Sequence, residues 1–377
     1  SFSGFVKADH FVDSRQTFTA REGNFLLYPA AERLDEAGDD INAAPNFNQL
    51  AIQTRLTGKI SAPDAFGAKT SGVIEGAFFG HSDSDINGFR LRHAFMKLSW
   101  EKTSLYFGQY WHPMFVTAVF PGVVSFNTGV PFQPFSRNPQ FRLEQSLGSS
   151  GTFILALLSQ RDFASPGGST SLRNAVLPNV HAQVQLTPGK SVLGAGVDYK
   201  MLRPALEEGG MKTTETVTGL SLIGYAKTNL GNVTVKAEGV LGQNLFDQLM
   251  IGGYGAMAQL TDKDQTQYTT MNNMSVWAEI HGNGSKLQPG VFFGYTQNLG
   301  ASDEINAAAL SARGTNLKDV LRVSPRLVFK SGKSQLAGEL EMTQAGYATD
   351  ADNKGKPEGD TNSVMNIRLL ISAILSF

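Results

Sequence analysis

Apolar and polar residues alternate along most of this chain, most clearly in the stretch 364–377. One set of alternate positions is apolar: Met365, Ile367, Leu369, Ile371, Ala373, Leu375 and Phe377. The positions between them include Asn366, Arg368, Ser372 and Ser376. A period of two places successive side chains on opposite faces of a β-strand. The pattern holds over roughly ten residues, which is the length that a tilted strand needs to cross a bilayer.

Two structures accommodate such a strand at the end of a chain. The first is an amphipathic edge strand of a soluble β-sandwich. The second is the last strand of a transmembrane barrel, which must pair with the first strand because each unpaired backbone group in lipid costs several kcal/mol. The rest of the chain decides between them.

The same alternation predicts sixteen strands, all within one domain spanning residues 1–377. Their approximate ranges are 4–11, 47–62, 69–81, 89–100, 104–112, 141–147, 152–163, 180–186, 193–200, 217–227, 232–242, 274–281, 287–298, 320–330, 334–342 and 364–377. Seven short turns alternate with eight longer, more polar connections. Transmembrane barrels have short periplasmic turns and long outer loops, whereas a soluble sandwich does not require this asymmetry. We therefore predict an all-β, antiparallel up-and-down transmembrane barrel of about sixteen strands.

Composition agrees with this class. Charged residues make up 17% of the chain, below the usual ~25% of soluble domains. The sequence contains no run of eighteen apolar residues, the length that would suggest a transmembrane helix. The net charge of −1 gives no reason to expect a nucleic-acid partner. The aromatic residues predicted to form the interfacial girdles are Trp100, Tyr106, Tyr110, Trp111, Tyr199, Trp277 and Tyr295.

Nothing in the sequence predicts an enzyme, a cofactor or a metal site. Cysteine is absent, which excludes a disulfide scaffold, a thiolate metal site and a cysteine nucleophile. The six histidines, at 10, 81, 93, 112, 181 and 281, lack ligand spacings such as HExxH and are interpreted as wall or interfacial residues. The acidic loop residues Asp350, Asp352 and Asp360 suit calcium, but they are interpreted as solvated charge.

The third long connection, about 114–139, is rich in phenylalanine and proline and carries little charge. So many exposed aromatic rings in an outer loop would be unfavourable, so we predict that this loop folds into the barrel and buries them. The alternative is an apolar loop that makes subunit contacts. Two aromatic rings of this third connection, Phe126 and Phe132, are predicted to line the pore.

Arginines on the inner faces of neighbouring strands predict a basic ladder opposite this loop. The predicted constriction also includes Arg55, Arg90, Arg92, Arg137, Arg142 and Glu144. The bases assigned to the lumen are Lys7, Arg55, Lys59, Arg90, Arg92, Arg142, Lys200, Lys227, Lys236, Arg322, Arg326, Lys330 and Arg368, and the acids are Asp9, Glu75, Glu144, Asp198, Glu238, Glu279, Glu339 and Glu341. A surplus of five bases predicts a mild anion preference, because guanidinium groups stay charged. The alternative is a set of solvated charges that only keep the pore wet.

Several short motifs resemble a known family. A terminal Phe377 with apolar Leu375, Ala373 and Ile371 resembles the closing strand of bacterial outer-membrane barrels, where this strand is also the assembly signal. The segments 4–9 (GFVKAD) and 107–109 (FGQ), with Arg137 after the third loop, are similar to the DcaP-like outer-membrane porins. This resemblance implies an outer-membrane location, contact with its lipids and a homotrimer. Sixteen-stranded porins also place their constricting loop after strand five, where it falls here.

These observations predict a bacterial outer-membrane porin that forms a water-filled channel for passive diffusion of small hydrophilic solutes. Two alternatives stay open. One is a substrate-selective channel for small anions such as carboxylates, and the other is a non-conducting surface adhesin or binding barrel.

Overall fold

The computed structural model describes residues 1–258 and 265–377 and contains a closed antiparallel barrel of sixteen strands. The barrel strands are β1 (Phe2–Asp13), β2 (Arg55–Ala65), β3 (Ala68–Ala77), β4 (Arg90–Ser99), β5 (Thr103–Trp111), β6 (Arg137–Ser146), β7 (Gly151–Leu158), β8 (Asn179–Leu186), β9 (Ser191–Leu202), β10 (Val217–Leu230), β11 (Val233–Gln243), β12 (Tyr268–Gly282), β13 (Leu287–Ala301), β14 (Leu317–Ser331), β15 (Ser334–Ala351) and β16 (Pro357–Ser376). Each pairs with its neighbours in chain order. The predicted strand number and up-and-down topology are confirmed.

The two ends of the chain close the barrel. Strand β1 pairs with β16 in a continuous antiparallel register from Phe5↔Ser376 to Asp13↔Arg368. The backbone N–H of Phe377 donates to the carbonyl of Gly4 at 3.1 Å, which extends the pairing to the last residue. A closed sheet has no free edge, and so this seam satisfies backbone groups that would otherwise face lipid unpaired.

The outer and inner faces of β16 show why the alternation predicts the barrel. On the outside, Leu369, Ile371 and Leu375 are each about half exposed. On the inside, Arg368 and Ser372 are almost completely buried. None of the helices among the described residues is both long and apolar enough to cross a membrane.

The connections at the two ends of the barrel differ in length. Turns at 66–67, 100–102, 147–150, 187–190, 231–232, 283–286 and 332–333 join strands at one end. The longer connections lie at the other end and hold short elements: the hairpin Thr17–Ala20 with Phe25–Pro29, the strand Asn46–Leu50, the helix Gly168–Ala175, the hairpin Glu207–Glu208 with Met211–Lys212, the 3-10 turns Ile41–Ala43, Asp83–Asp85 and Leu245–Gln248, and the paired strands Gly252–Met257 and Ile305–Arg313.

Three sequence expectations about these elements are wrong. The strand predicted over 47–62 is two strands, Asn46–Leu50 and Arg55–Ala65, both paired with β1. Ile52 lies in the break between them and is buried in the core, whereas an unbroken strand over 47–62 would place it on the same outer face as Leu56 and Ile60. The connection predicted between the strands 334–342 and 364–377, which includes the hydrophilic loop 349–361, is mostly paired strand, because β15 continues to Ala351 and β16 begins at Pro357.

The girdle prediction is also partly wrong. Trp277 is fully buried on the same face as Glu279, and its ring stacks on Phe292 inside the barrel. Trp111 likewise stacks on Phe115, a residue of the third loop. The girdle prediction used only the residue type, tryptophan or tyrosine. Trp277 is two positions before Glu279 on the same strand, so alternation already places both side chains on the inner face.

An ion pair across the β1–β16 seam provides a test of closure. Asp13 accepts hydrogen bonds from Arg368 Nε at 2.9 Å and Nη2 at 2.6 Å, with both side chains buried. We expect Asp13→Ala to destabilise the barrel by about 3 kcal/mol, because the buried guanidinium loses its main partner. Urea unfolding in detergent, followed by tryptophan fluorescence, measures the change.

Asp64, exposed near the end of β2, gives the matched control, since Asp64→Ala removes a carboxylate that is solvated. Equal unfolding midpoints for Asp13→Ala and the control would show that this pair does not stabilise the seam.

Candidate functional site

The third loop, residues 112–136, crosses the barrel interior and is held on the opposite wall by carboxylates. The backbone N–H groups of Val124 and Ser125 donate to the two oxygens of Glu339, at 2.6 and 3.1 Å. The side-chain amide of Asn127 donates to Glu341 Oε1 at 2.6 Å. Both glutamates belong to β15, on the far side of the barrel from the loop's origin between β5 and β6. The predicted inward fold of this loop is confirmed.

Basic side chains of the wall bind the carbonyl groups of the same loop. The donors and acceptors are Lys7 Nζ to Val124 O at 2.7 Å, Lys227 Nζ to Ala118 O at 3.2 Å, Lys236 Nζ to Phe120 O at 3.1 Å and Arg322 Nη1 to Val130 O at 2.8 Å. Buried backbone groups require such partners. These wall charges were predicted to line the aqueous lumen. They instead bind the third loop and fix its course through the barrel.

A close apolar contact seats the tip of the loop. The Phe132 ring lies 6.0 Å from the Phe292 ring and covers Gly294 on β13. A Cβ atom at position 294 would lie 2.5 Å from that ring, so only glycine leaves room for it. Phe132 is thus part of the packing on the far wall and lines neither of the two cavities described below.

One interior cavity, of about 230 Å³, lies between the loop and strands β2 to β5. Arg55, Arg92 and Phe126 line it, together with Trp111. Arg92 Nε lies 2.8 Å from Glu75 Oε1, and Arg55 Nε lies 3.6 Å from the same oxygen. Two guanidinium groups therefore share one carboxylate, which leaves a local excess of positive charge beside the cavity.

A second cavity, of about 160 Å³, lies on the other side of the loop. Arg142 and Glu144 line it and form an ion pair at 2.7 Å. The Arg142 guanidinium also lies 5.7 Å from the ring centres of both Tyr106 and Tyr110, within the range of a cation–π contact.

Arg90 and Arg137 line neither cavity. Both bind Asp162, a residue of the connection between β7 and β8, with Arg137 Nε 2.8 Å from Asp162 Oδ2. Burial favours a higher pKa for Asp162, but the guanidinium groups of Arg137 and Arg90 outweigh it and hold the pKa below its usual value. These two arginines hold the connection between β7 and β8 against the barrel wall.

The charge balance inferred for the lumen omits three buried acids. Asp13, Asp162 and Asp247 were not assigned to the interior, yet each forms an ion pair there, with Arg368, with Arg90 and Arg137, and with Lys200, respectively. The count also left out one buried base, Arg137, which shares Asp162 with Arg90. With these three acids and Arg137 included, the predicted surplus falls from five bases to three. Glu279 is shared by Arg326 and Lys236, just as Glu75 is shared by two arginines, so the remaining positive charge flanks the third loop.

A second segment that enters the barrel was missed. Phe25–Pro29 is buried throughout, and the Phe25 ring contacts those of Phe79, Phe126 and Phe135. Arg322 Nη2 donates to the carbonyl of Leu27 at 2.9 Å. The run FLLYP was an available signal, since it interrupts an otherwise polar stretch, but this stretch was treated only as one of the long polar connections.

The closed polar-lined barrel with a loop across its interior defines the class: the fold is that of the bacterial outer-membrane porins. Among solved structures it resembles the outer membrane channel DcaP of Acinetobacter baumannii, with a TM-score of 0.72, 16% identity, and coverage of 100% of this chain and 96% of that chain. The predicted resemblance to DcaP-like porins is confirmed at the level of fold.

Other porin structures share the fold at lower similarity. An anion-selective porin from Comamonas acidovorans has a TM-score of 0.58 and 10% identity, covering 100% of this chain and 99% of that one. A trimer form of OmpT, an outer membrane protein of Vibrio cholerae, has a TM-score of 0.57 and 10% identity, with coverage of 100% and 98%. No protein-family model and no curated protein matches the sequence.

The contacts of Glu339 generate a prediction about the third loop. We expect Glu339→Gln to speed hydrogen exchange at the amides of Val124 and Ser125 by about 10-fold to 100-fold, because a hydrogen bond to a charged acceptor contributes about 1.5–3 kcal/mol. Hydrogen-exchange mass spectrometry in detergent measures this. Glu358→Gln, at an exposed site, is the matched control and should leave both amides unchanged. Slow exchange in Glu339→Gln would mean that other contacts hold the loop.

Proposed function

We propose that this chain forms a water-filled channel in the bacterial outer membrane, through which small hydrophilic solutes diffuse passively with a mild preference for anions. The observation that carries the proposal is the division of the barrel into an apolar outside and an ionic inside, with a loop that narrows the interior. An apolar outer face suits hydrocarbon, and an ionic bore stays hydrated.

The anion preference rests on where positive charge remains after pairing. Glu75 serves both Arg55 and Arg92, Glu279 serves both Arg326 and Lys236, and Lys227 binds the loop carbonyl of Ala118. Each arrangement leaves net positive charge beside the third loop. The anion-selective porin of Comamonas acidovorans, which has the same fold, supports a role of this kind.

A second candidate is a channel selective for small carboxylates. Its support is that each interior cavity is lined by both an arginine and an aromatic ring. These are Arg92 and Trp111, 5.7 Å apart, in one cavity, and Arg142 and Phe115 in the other. Guanidinium groups bind carboxylates through paired hydrogen bonds, and flat rings provide apolar contact for the rest of the solute. Current block by a small carboxylate but not by chloride would favour this candidate.

Single-channel recording in planar bilayers tests the proposal, and Arg55→Gln tests the origin of selectivity. We expect discrete current steps from the wild type and a modest anion preference in a salt gradient. Removing one charge that lies ~8 Å from the ion path in water costs ~0.5 kcal/mol of attraction. Cations lose a similar repulsion, so the ratio of anion to cation permeability should fall roughly fivefold in Arg55→Gln.

Arg33→Gln is the control, since it removes an exposed arginine from an outer loop. Absence of steady current from the wild type would favour the adhesin or binding-barrel alternative. Cation selectivity in the wild type would reject the anion preference while leaving the channel intact.

We also propose that the channel is a homotrimer whose subunits meet through the outer face of β2 to β5. A groove of about 440 Å³ lies there, lined by apolar and small residues such as Ile60, Gly72, Ile74, Ala94 and Phe107. Small residues let neighbouring surfaces approach closely. The trimer form of the similarly folded OmpT supports this assembly.

A bulky substitution in this groove should weaken the trimer. Ile74 is exposed in the single chain, and we expect Ile74→Trp to lower the temperature at which the oligomer dissociates on unheated detergent gels. Val291→Trp is the control, because Val291 faces outward on β13, far from the groove in strand order. Unchanged dissociation in Ile74→Trp would place any subunit contact elsewhere.

A further inference from the structure

A cluster of three polar side chains lies where the third loop leaves the wall. His112 is the first residue after β5, His181 lies on β8 and Asp198 lies on β9, and all three are fully buried or nearly so. One ligand atom from each lies within 4.8 Å of the other two. None of the contacts described above explains this cluster.

The charge of Asp198 is not balanced by a basic residue. Among the described residues, its only ionic contacts within 4 Å are His112 Nε2 at 3.3 Å and His181 Nδ1 at 3.4 Å. Lys200, the next inward residue on β9, is already paired with Asp247. A buried carboxylate needs a positive partner, and no lysine or arginine of the described residues lies within ion-pair distance of Asp198.

Hydrogen bonding fixes the tautomer of His181. Its Nε2 lies 3.0 Å from Gln183 Oε1, and the Gln183 amide in turn donates to the Tyr225 hydroxyl at 2.7 Å. Since an amide oxygen only accepts, Nε2 carries a proton, and Nδ1 is the ring nitrogen that faces Asp198 Oδ2. Neither Nδ1 nor Oδ2 has a hydrogen-bond partner in the part of the chain described by the structure. A buried imidazole nitrogen and a buried carboxylate oxygen, both without a partner, are two ligand atoms that a bound cation would join.

The separations match those around a bound transition metal. Ligand bonds to Zn²⁺ are about 2.0–2.2 Å, so tetrahedral geometry puts neighbouring ligand atoms ~3.4 Å apart. The two observed separations are 3.3 and 3.4 Å. The bond from His181 Nε2 to Gln183 also has the form of the outer hydrogen bond that orients a metal-binding histidine.

We propose that His112, His181 and Asp198 bind one divalent transition-metal ion, of which Zn²⁺ suits two imidazoles and a carboxylate best. The second cavity, lined by Pro113 and Gln183, adjoins the cluster and provides a route from the lumen, and a water molecule can fill the fourth position. The bound ion joins the base of the third loop to the wall strands β8 and β9.

Binding changes one contact of His112. Its Nδ1 accepts a hydrogen bond from the backbone N–H of Met114 at 3.2 Å. When Nε2 binds a metal ion, Nδ1 carries the proton and this hydrogen bond breaks. Faster hydrogen exchange at the Met114 amide on adding Zn²⁺ is therefore a signature that a surface ion would not produce.

The test uses the full chain in detergent, stripped with a chelator and titrated with Zn²⁺. Calorimetry and elemental analysis should find about one ion per chain. Asp198→Asn and His181→Asn should abolish this binding, and Gln183→Ala should weaken it roughly 10-fold to 100-fold. His81→Asn removes an exposed loop histidine and is the matched control, which should bind like the wild type.

Two measurements keep the proposal testable if the buried variants fail to fold. Co²⁺ added to the wild type should give the visible absorption of a four-coordinate site, and Zn²⁺ should displace it. Absence of stoichiometric binding by the wild type, or unchanged binding in His181→Asn, would overturn the proposal. These outcomes do not depend on ion conduction, so they are distinct from failure of the proposed channel function.

Discussion

The pairing of β1 with β16 is the constraint on which the rest of this structure depends. Without it the sheet would have two edges, and no edge is tolerated in hydrocarbon. Once the sheet closes, every residue faces either the outside or the bore, and the outward positions become apolar. Most of the charge in the strands must then lie inside. The ion pair of Asp13 with Arg368 shows both effects, since it lies inside the barrel and joins the two strands that close it.

An interior crowded with charge needs partners, and the loops provide many of them. Glu339 and Glu341 bind the third loop, Arg322 binds carbonyl groups of both the third loop and the hairpin ending at Pro29, and Arg90 and Arg137 bind Asp162. Each contact satisfies a buried wall charge and also fixes a loop. The cost of leaving such groups unpaired thus makes the loops part of the wall's stability.

Much of the fold follows from local pattern, because alternation is a property of neighbouring residues. The outward and inward sets of β16 were therefore predicted correctly. Ile52 was not, since a break in a strand inverts the parity and alternation cannot show it. The third loop's inward course was predicted from its aromatic content, whereas the entry of Phe25–Pro29 was missed because its five apolar residues were averaged with polar surroundings.

The site was less predictable than the fold because its contacts join residues far apart in the chain. The bond from Asn127 to Glu341 spans 214 positions, and no local pattern reports it. The charge count failed for a related reason: Asp162 and Asp247 lie outside the barrel strands, so strand parity could not assign them to the interior. Arg90 and Arg137 are the residue type expected in a basic ladder along a pore, but their pairing with Asp162 is visible only in three dimensions.

The third loop links the two interior cavities to the cluster at its base. Its base lies beside β8 and β9, its middle is held by Glu339, and its tip packs on Gly294. Several separate attachments restrict a loop far more than one, because each shortens the segment that is free to move. Lys227 and Lys236 also hold the loop, at Ala118 and Phe120. Both residues lie within 115–123, the part of the loop that contributes to both interior cavities. The open space inside the barrel therefore depends on the contacts of the loop with the wall, and not on the strands alone.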